Sequence, residues 1–539
     1  MFNLAHIHEA IAARIPEREC LVFRDRRFSW RDVTERARRL GALLRGRLGG
    51  PTAERSELPN WESGQAHVAL YLYNGNEYLE GMLGAFEARA VPINVNYRYV
   101  EEELLYLFEN SRARGVIFHA CFAPVLARIR EKLPQLELWL QVADESGQAL
   151  LPGALDYEAA LAASAPEPPR GLSPDDLYML YTGGTTGMPK GVMWRQEDIF
   201  RAALYTRPVE SVDDVVARAE RGRHRALAAP PFMHGAAHWA AFNMWALGGT
   251  LVVQSDPRHL DPHDIWGAVE RERVTALTIV GDAFARPLCD ALRERRYDLS
   301  SLEVIGSGGA ILTAALKQEL LERLPHVRIN DNLGSSESGS QAIQVSQRGA
   351  RATTGDFEMA RDNLVLREDL SGAVAPGSGE VGWLARRGIV PLGYYRDREK
   401  TMRTFPVIDG VRYAVPGDRA MLEADGRLRL LGRDSVTINT GGEKVFAEEV
   451  EHALKHHPAV LDAVVVGTPH ERWGQQVTAL VALRPGEARS EEALLAVARA
   501  HIAPYKLPRR FVFLDRIVRA PSGKADYRWA REAALAAEG

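Results

Sequence analysis

The chain has 539 residues, too many for one compact core, and length alone predicts three or four domains. Hydrophobic residues make up 46% and charged residues 26%, the balance of an ordinary globular protein. A net charge of −4 excludes a dominating electrostatic partner such as nucleic acid or an anionic membrane surface. Leu4, Ile7, Ile11 and Ile15 recur at helical spacing, so the start of the chain reads as an amphipathic helix and not as a signal peptide. No run of apolar residues is long enough to span a membrane, and a cytoplasmic location is the expectation. Cys20, Cys121 and Cys289 lie far apart and predict neither a metal knuckle nor a disulfide framework.

From residue 31 to 118 helical patterns alternate with short apolar runs: helix 31–48, strand 67–73, helix 76–89, strand 90–95, helix 101–111 and strand 115–118. This alternation predicts βαβ units on a parallel sheet. Residues 145–175 read as a surface connection. The alternation resumes with strand 225–231, helix 237–249, strand 250–254, helix 264–273, and strands at 275–281 and 301–310, so two similar α/β subdomains are expected. From about 360 the sequence turns β-rich and glycine-punctuated, with a hairpin signalled by Asp425–Gly426. A small α+β segment follows, with helices at 448–457 and 491–502 and strands at 461–467 and 477–483. The main boundary is expected at Arg433–Asp434, giving domains 1–433 and 434–539.

Tyr181–Gly191, YTGGTTGMPKG, carries the chemistry. Gly183, Gly184 and Gly187 let backbone N–H groups approach a phosphate closely, Thr182, Thr185 and Thr186 add hydroxyl donors, and Lys190 adds a mobile positive charge. That is the chemistry of holding a polyphosphate. It is not the Walker A pattern, because no Ser or Thr follows the lysine.

This loop resembles the phosphate loop of the adenylate-forming enzymes: acyl-CoA synthetases, luciferases and peptide-synthetase adenylation domains. The likeness runs over essentially the whole chain, because PPFMHGAAHW (230–239), GSGGA (306–310), LGSSESG (333–339), YAVPGD (413–418), LGRDSVTINTGGEKVFAEEVE (431–451) and PSGKADY (521–527) follow in the family's order. With VGDAFARP at 280–287, the chain most resembles bacterial acyl-CoA synthetases of fatty-acid and steroid side-chain catabolism. The resemblance implies a large N-terminal domain of two α/β subdomains plus a distorted β-barrel, and a small mobile α+β C-terminal domain.

It also implies roles. Lys524 is the catalytic lysine that steadies charge on the phosphate and the approaching carboxylate, and Glu337 is a catalytic carboxylate that binds Mg²⁺. Ser336, and after it Ser335, donates to the α-phosphate; Gly308, Gly309 and Ala310 frame the adenine; Asp418 and Arg433 hold the ribose. Asp434 is the hinge about which the small domain rotates. Gly441 and Gly442, beside Lys444, leave room for pantetheine, with Trp473 and Gly474 on the same route. His234, Gly235, His238 and Gly308 are expected in the substrate pocket, with Ala236 and Ala237 leaving room for a bulky apolar acid. Leu333 stands where the family often has an aromatic residue over the adenine, and Trp194 is expected in the core. The implied reaction uses ATP, Mg²⁺ and coenzyme A to turn a carboxylic acid into its acyl-adenylate and then its thioester; family habit implies a homodimer. Loading of a carrier protein in trans, and a nucleotide-binding protein without catalysis, stand as alternatives.

Overall fold

The computed structural model describes residues 1–184, 187–350, 352–440, 443–470, 473–502, 504–520 and 523–537. The first helix, Leu4–Arg14, starts on an Asn3 cap and buries Leu4, Ile7 and Ile11. The long helix Trp30–Leu48 begins with a capping box between Ser29 and Asp32.

The expected parallel sheet is present as five strands in the order Val91–Asn94, His67–Tyr71, Ala113–His119, Leu138–Val142 and Leu155–Asp156. The last of these strands and the helix Tyr157–Ala162 fall inside the stretch expected as a surface connection. Tyr157 is fully buried there and donates to Glu80 at 2.8 Å, which anchors the segment in the core.

A second, 15-stranded sheet among the described residues begins as a parallel array. Its strands include Glu19–Phe23, Thr250–Val253, Arg225–Ala228, Ala276–Ile279, Val304–Gly308 and Arg328–Ser335. The subdomains are therefore interleaved. Glu19–Phe23, from the start of the chain, pairs with Thr250–Val253 through Leu21 opposite Leu251. Beyond Arg328–Ser335 the same sheet continues antiparallel through Gly339–Ser346, Asp356–Met359, Leu428–Arg433, Asp418–Leu422 and Gly382–Arg387. The distorted β-barrel expected here is an open one: among the described residues its strands extend the large sheet and do not close on it. The Asp418–Leu422 and Leu428–Arg433 hairpin turns at Gly426, whose φ of 81° is a left-handed conformation that glycine adopts without strain.

Arg433 ends the last strand of the large sheet, and Thr437–Thr440 opens a separate five-stranded sheet. That smaller sheet packs Val465, Ala479 and Val481 on the helices Ala447–Lys455 and Glu491–Arg499. Its other face packs Val464, Val466 and Leu480 on the helix Tyr527–Ala536. Two covered faces give it a core of its own. Among the described residues no helix is long and apolar enough to cross a membrane.

Candidate active site

A cleft of about 2280 Å³ runs between the large sheet and the smaller one. Its floor is the carboxyl edge of the parallel strands, where open α/β sheets bind ligands. Val304–Gly308 ends there in Gly308 and Gly309, and Arg328–Ser335 delivers Ser335 and Ser336.

The phosphate loop is the tip of an antiparallel hairpin, Leu177–Gly184 with Gly187–Arg195, in which Thr182 faces Lys190 and Gly184 faces Gly187. A strand, and not a helix, follows the glycines, which separates this loop from a P-loop NTPase. Thr182 lines the cleft. Lys190 is ion-paired with Asp397, the N-cap of the helix Arg398–Thr404. Burial opposes ionisation of Asp397, yet Lys190 and the backbone N–H of Lys400 hold its pKa below the usual carboxylate range. Thr185, Thr186, Gly441, Gly442 and the side chain of Lys444 lie outside the described residues.

Glu337 sits in the turn between Arg328–Ser335 and Gly339–Ser346. Its Oε1 accepts from the Tyr394 hydroxyl at 2.9 Å. Burial and this carboxylate raise the Tyr394 pKa, so the phenol stays a donor. The turn itself is pinned from below. Trp194, fully buried as expected, also donates its indole N–H to the Ser336 carbonyl at 2.8 Å. Buried Arg386 donates to the carbonyls of Ser338 and Ser340, both at 3.0 Å, and the Ser335 and Ser338 hydroxyls lie 2.8 Å apart. Tyr394, Asp397, Arg386 and Trp194 are supports that sequence reading missed. Each acts on a residue far away in the chain, so no local motif joins them to the site.

Asp418 and Arg433 face each other across their hairpin, with Arg433 Nε donating to Asp418 at 3.1 Å. Asp418 is the chief cause that raises the Arg433 pKa. Asp434, the expected hinge, is tied back to the large body: Arg419 donates to it at 3.0 Å and lies 3.4 Å over the Trp383 ring.

Lys524 enters from the smaller sheet and lies against Gly309, where an added Cβ would stand 3.7 Å from its Cε. Its turn is held by Arg519, which donates to the Gly523 carbonyl at 3.2 Å and to both oxygens of Asp462 at 2.6 Å. Both domains enclose the ammonium, which still reaches water through the open cleft. Enclosure, then Arg433, lowers the Lys524 pKa, while Glu337 and Asp418 oppose the shift.

From this centre the cleft extends along one face of the helix Gly235–Ala246, lined by Gly235, Ala236, Trp239, Ala240 and Asn243. His234 opens this arm; among the described residues its buried Nε2 has no hydrogen-bond partner, and burial with nearby Lys524 pushes its pKa down to about 3. His238 does not line the pocket as expected. It sits on the opposite helical face, 2% exposed, with Nδ1 2.7 Å from the Phe232 carbonyl and Nε2 against the Tyr178 hydroxyl. That hydroxyl in turn accepts from Trp239 Nε1 at 2.7 Å, so His238 steadies the pocket wall from behind. Leu333 lines the cleft and packs on the Ala342 and Phe357 cluster. Trp473 is stacked by Arg509 at 4.7 Å, and neither it nor Gly474 lines the cleft.

A glycine hairpin, a carboxylate on a pinned turn and a lysine delivered across the cleft by a second domain describe the class of adenylate-forming enzymes. Residues 8–395 match the AMP-binding enzyme family and residues 449–524 match the AMP-binding enzyme C-terminal domain. The chain belongs to this family. It is 52% identical to the medium-chain acyl-CoA ligase Mig of Mycobacterium avium, over 99% of this chain and 98% of that one. It is 40% identical to the 3-oxocholest-4-en-26-oate–CoA ligase of Rhodococcus rhodochrous, over 98% and 95%. Among solved structures, the anthranilate CoA ligase AuaEII in complex with anthranoyl-AMP shares the fold, with a TM-score of 0.83 and 23% identity over 100% of this chain and 98% of that one.

Proposed function

We propose that this enzyme joins a medium-chain or other bulky apolar carboxylic acid to coenzyme A at the expense of ATP. The observation that carries the reading is the meeting of Lys524 from one domain with Gly309, Asp418 and Arg433 from the other, at the mouth of an apolar arm. In the first step a carboxylate oxygen attacks the α-phosphate, forming the acyl-adenylate and releasing pyrophosphate. In the second the thiol sulfur attacks the acyl carbonyl, loses its proton, and AMP leaves.

Each wall has a part in this reading. Asp418 and Arg433 orient the ribose, Gly308, Gly309 and Ala310 flank the adenine, and Ser336 and Ser335 face the α-phosphate. Lys190, exchanging Asp397 for phosphate, and the hairpin donors hold the β- and γ-phosphates. Lys524 places a compact positive charge where negative charge gathers in the first transition state. His234, neutral at physiological pH, borders the acyl carbonyl without adding a charge.

Magnesium fits Glu337 as a metal brought in on ATP. Among the described residues no cluster of three or more acidic, Cys or His ligands exists, and Glu337 has one oxygen on Tyr394 and a second left for a cation. Such an ion takes one or two carboxylates plus phosphate oxygens, and would neutralise phosphate charge. On sequence grounds Gly441, Gly442 and Lys444 are assigned to the approach of the thiol. The domain division is placed at 433/434, with Asp434 as the hinge.

The apolar arm follows the twelve residues of Gly235–Ala246, about 18 Å of helix, which suits a medium-length alkyl chain. That agrees with the medium-chain substrate named for the 52% identical relative. We place the enzyme in the cytoplasm, with ATP and coenzyme A. A homodimer enters the reading from family habit alone, and light scattering on the purified protein decides it.

The test is incubation with ATP, Mg²⁺, coenzyme A and a panel of fatty, aryl and steroid acids, read by mass spectrometry. Acyl-CoA with AMP is expected, strongest for medium-chain acids. Acyl-adenylate without thioester would replace coenzyme A by a carrier protein, and no adenylate with any acid would overturn the reading.

A further inference from the structure

Glu448 has no part in the chemistry described so far. It lies in the first turn of Ala447–Lys455, the first helix of the smaller domain, yet its Oε2 accepts the backbone N–H of Arg433, on the last strand of the large body, at 3.0 Å. The seat is made by Gly432. With φ of 130° and no side chain, Gly432 leaves a space that the carboxyl fills, 1.8 Å from where a Cβ would stand. The contact bridges the two domains directly, outside the link 434–437, and it reaches the backbone of the same Arg433 whose side chain holds Asp418.

We propose that Glu448 is a positioning residue, a latch specific to the orientation in which Lys524 enters the cleft: it locks the smaller domain onto Gly432 and Arg433 for the adenylating step and releases when that domain turns for the thiol step. The proposal rests on the two-step reading above and adds to it a named contact that must break between the steps. Rotation of the smaller domain carries Lys524 and Glu448 away together, since both belong to that one packed unit.

The surroundings suit a releasable contact. Burial, followed by Glu451 on the same helix and Asp418 on the opposing strand, raises the Glu448 pKa to about 8, with Arg433 opposing. Tyr527, on the last helix, also faces it, and Lys506 is engaged with Glu449 at 2.6 Å. The seat therefore favours the neutral carboxyl, whose departure strands no buried charge. Released into water the carboxyl returns toward its ordinary value of 4.5, so the latched orientation holds the extra proton and loses ground as pH rises from there to about 8.

The experiment compares wild type, E448A and E448Q, with E449A as a control that breaks a pair inside the smaller domain. Amide exchange at Arg433 is followed without substrates; adenylation is followed by acid-dependent pyrophosphate exchange with decanoic acid, and thioester formation from supplied decanoyl-adenylate. E448A is expected to speed exchange at Arg433 and to slow adenylation about tenfold, with thioester formation changed less than about twofold. E448Q, which keeps the acceptor, restores both and abolishes the fall of adenylation as pH rises toward 8. Equal loss in both half-reactions, or unchanged exchange at Arg433 in E448A, would overturn the latch. If E448A does not fold, parallel pH profiles for E448Q and wild type would overturn it. The exchange arm needs no substrate, so it decides on the latch even if the wild type turns over no acid, an outcome that counts against the enzymatic reading alone.

Discussion

The two walls of the cleft are built differently. On the large body the groups at the cleft are held from within that same body: Glu337 by Tyr394, its turn by Trp194 and Arg386, and Arg433 by Asp418. On the smaller domain Lys524 is also firmly mounted, through Arg519 and Asp462, but its mounting is internal to that domain. Where the two meet, Lys524 lies against Gly309, Gly523 beside Val280 and Ala283, and the Glu448 carboxyl in the Gly432 seat. The wall that binds is organised before the substrate arrives. In the proposed reaction the wall that carries Lys524 is a rigid piece that is withdrawn whole.

Substitutions on the large body should break binding and chemistry together. Removing the Glu337 carboxylate in E337A should slow adenylation roughly 10²–10³-fold, in the range for loss of a charge-stabilising group, as read by pyrophosphate exchange. Y394F takes away only the donor that aims it. Roughly a tenfold loss is expected, recovered in part by raising magnesium, as for residues that orient a metal ligand. W239A should open the apolar arm, raising kcat/KM for a bulky acid relative to decanoic acid by roughly tenfold, measured on the acid panel.

The smallest expected effect concerns stability. His8, His67 and His238 are buried, and burial lowers their pKa to about 3, 4 and 4. The unfolded chain binds protons near pH 6.5 where the native state does not, so stability is complete above that pH and is lost as pH falls toward 4. Between pH 7 and 6 each histidine should contribute about 0.7 kcal/mol of loss, visible as a falling Tm.

Much of this was legible because the signals are local. The phosphate hairpin, the alternating helices and strands and the Asp425–Gly426 turn each declare themselves within a dozen residues, and the order of motifs placed Lys524, Asp418 and Arg433 on one cleft. What escaped depends on distance. Glu19–Phe23 is a hairpin strand with Arg26–Ser29 locally, but it joins the large sheet through a partner some 230 positions away, as Leu21 opposite Leu251 shows. That the distorted barrel is open, its strands continuing an existing sheet, is not encoded in composition. His238 was placed in the pocket with its neighbours; one helical step turned it to the other face, where it supports Trp239 through Tyr178. Tyr394, Arg386 and Glu448 look like surface residues until the fold brings their partners to them.

The difference between the walls is tested most directly in K524A, by measuring both half-reactions on the same preparation. Pyrophosphate exchange with decanoic acid should fall roughly 10²–10³-fold, while ATP affinity and thioester formation from supplied decanoyl-adenylate stay close to wild type. If exchange survives, or if all three fall together, Lys524 is not a separable charge carried into a finished binding site, and the account of the two walls is wrong.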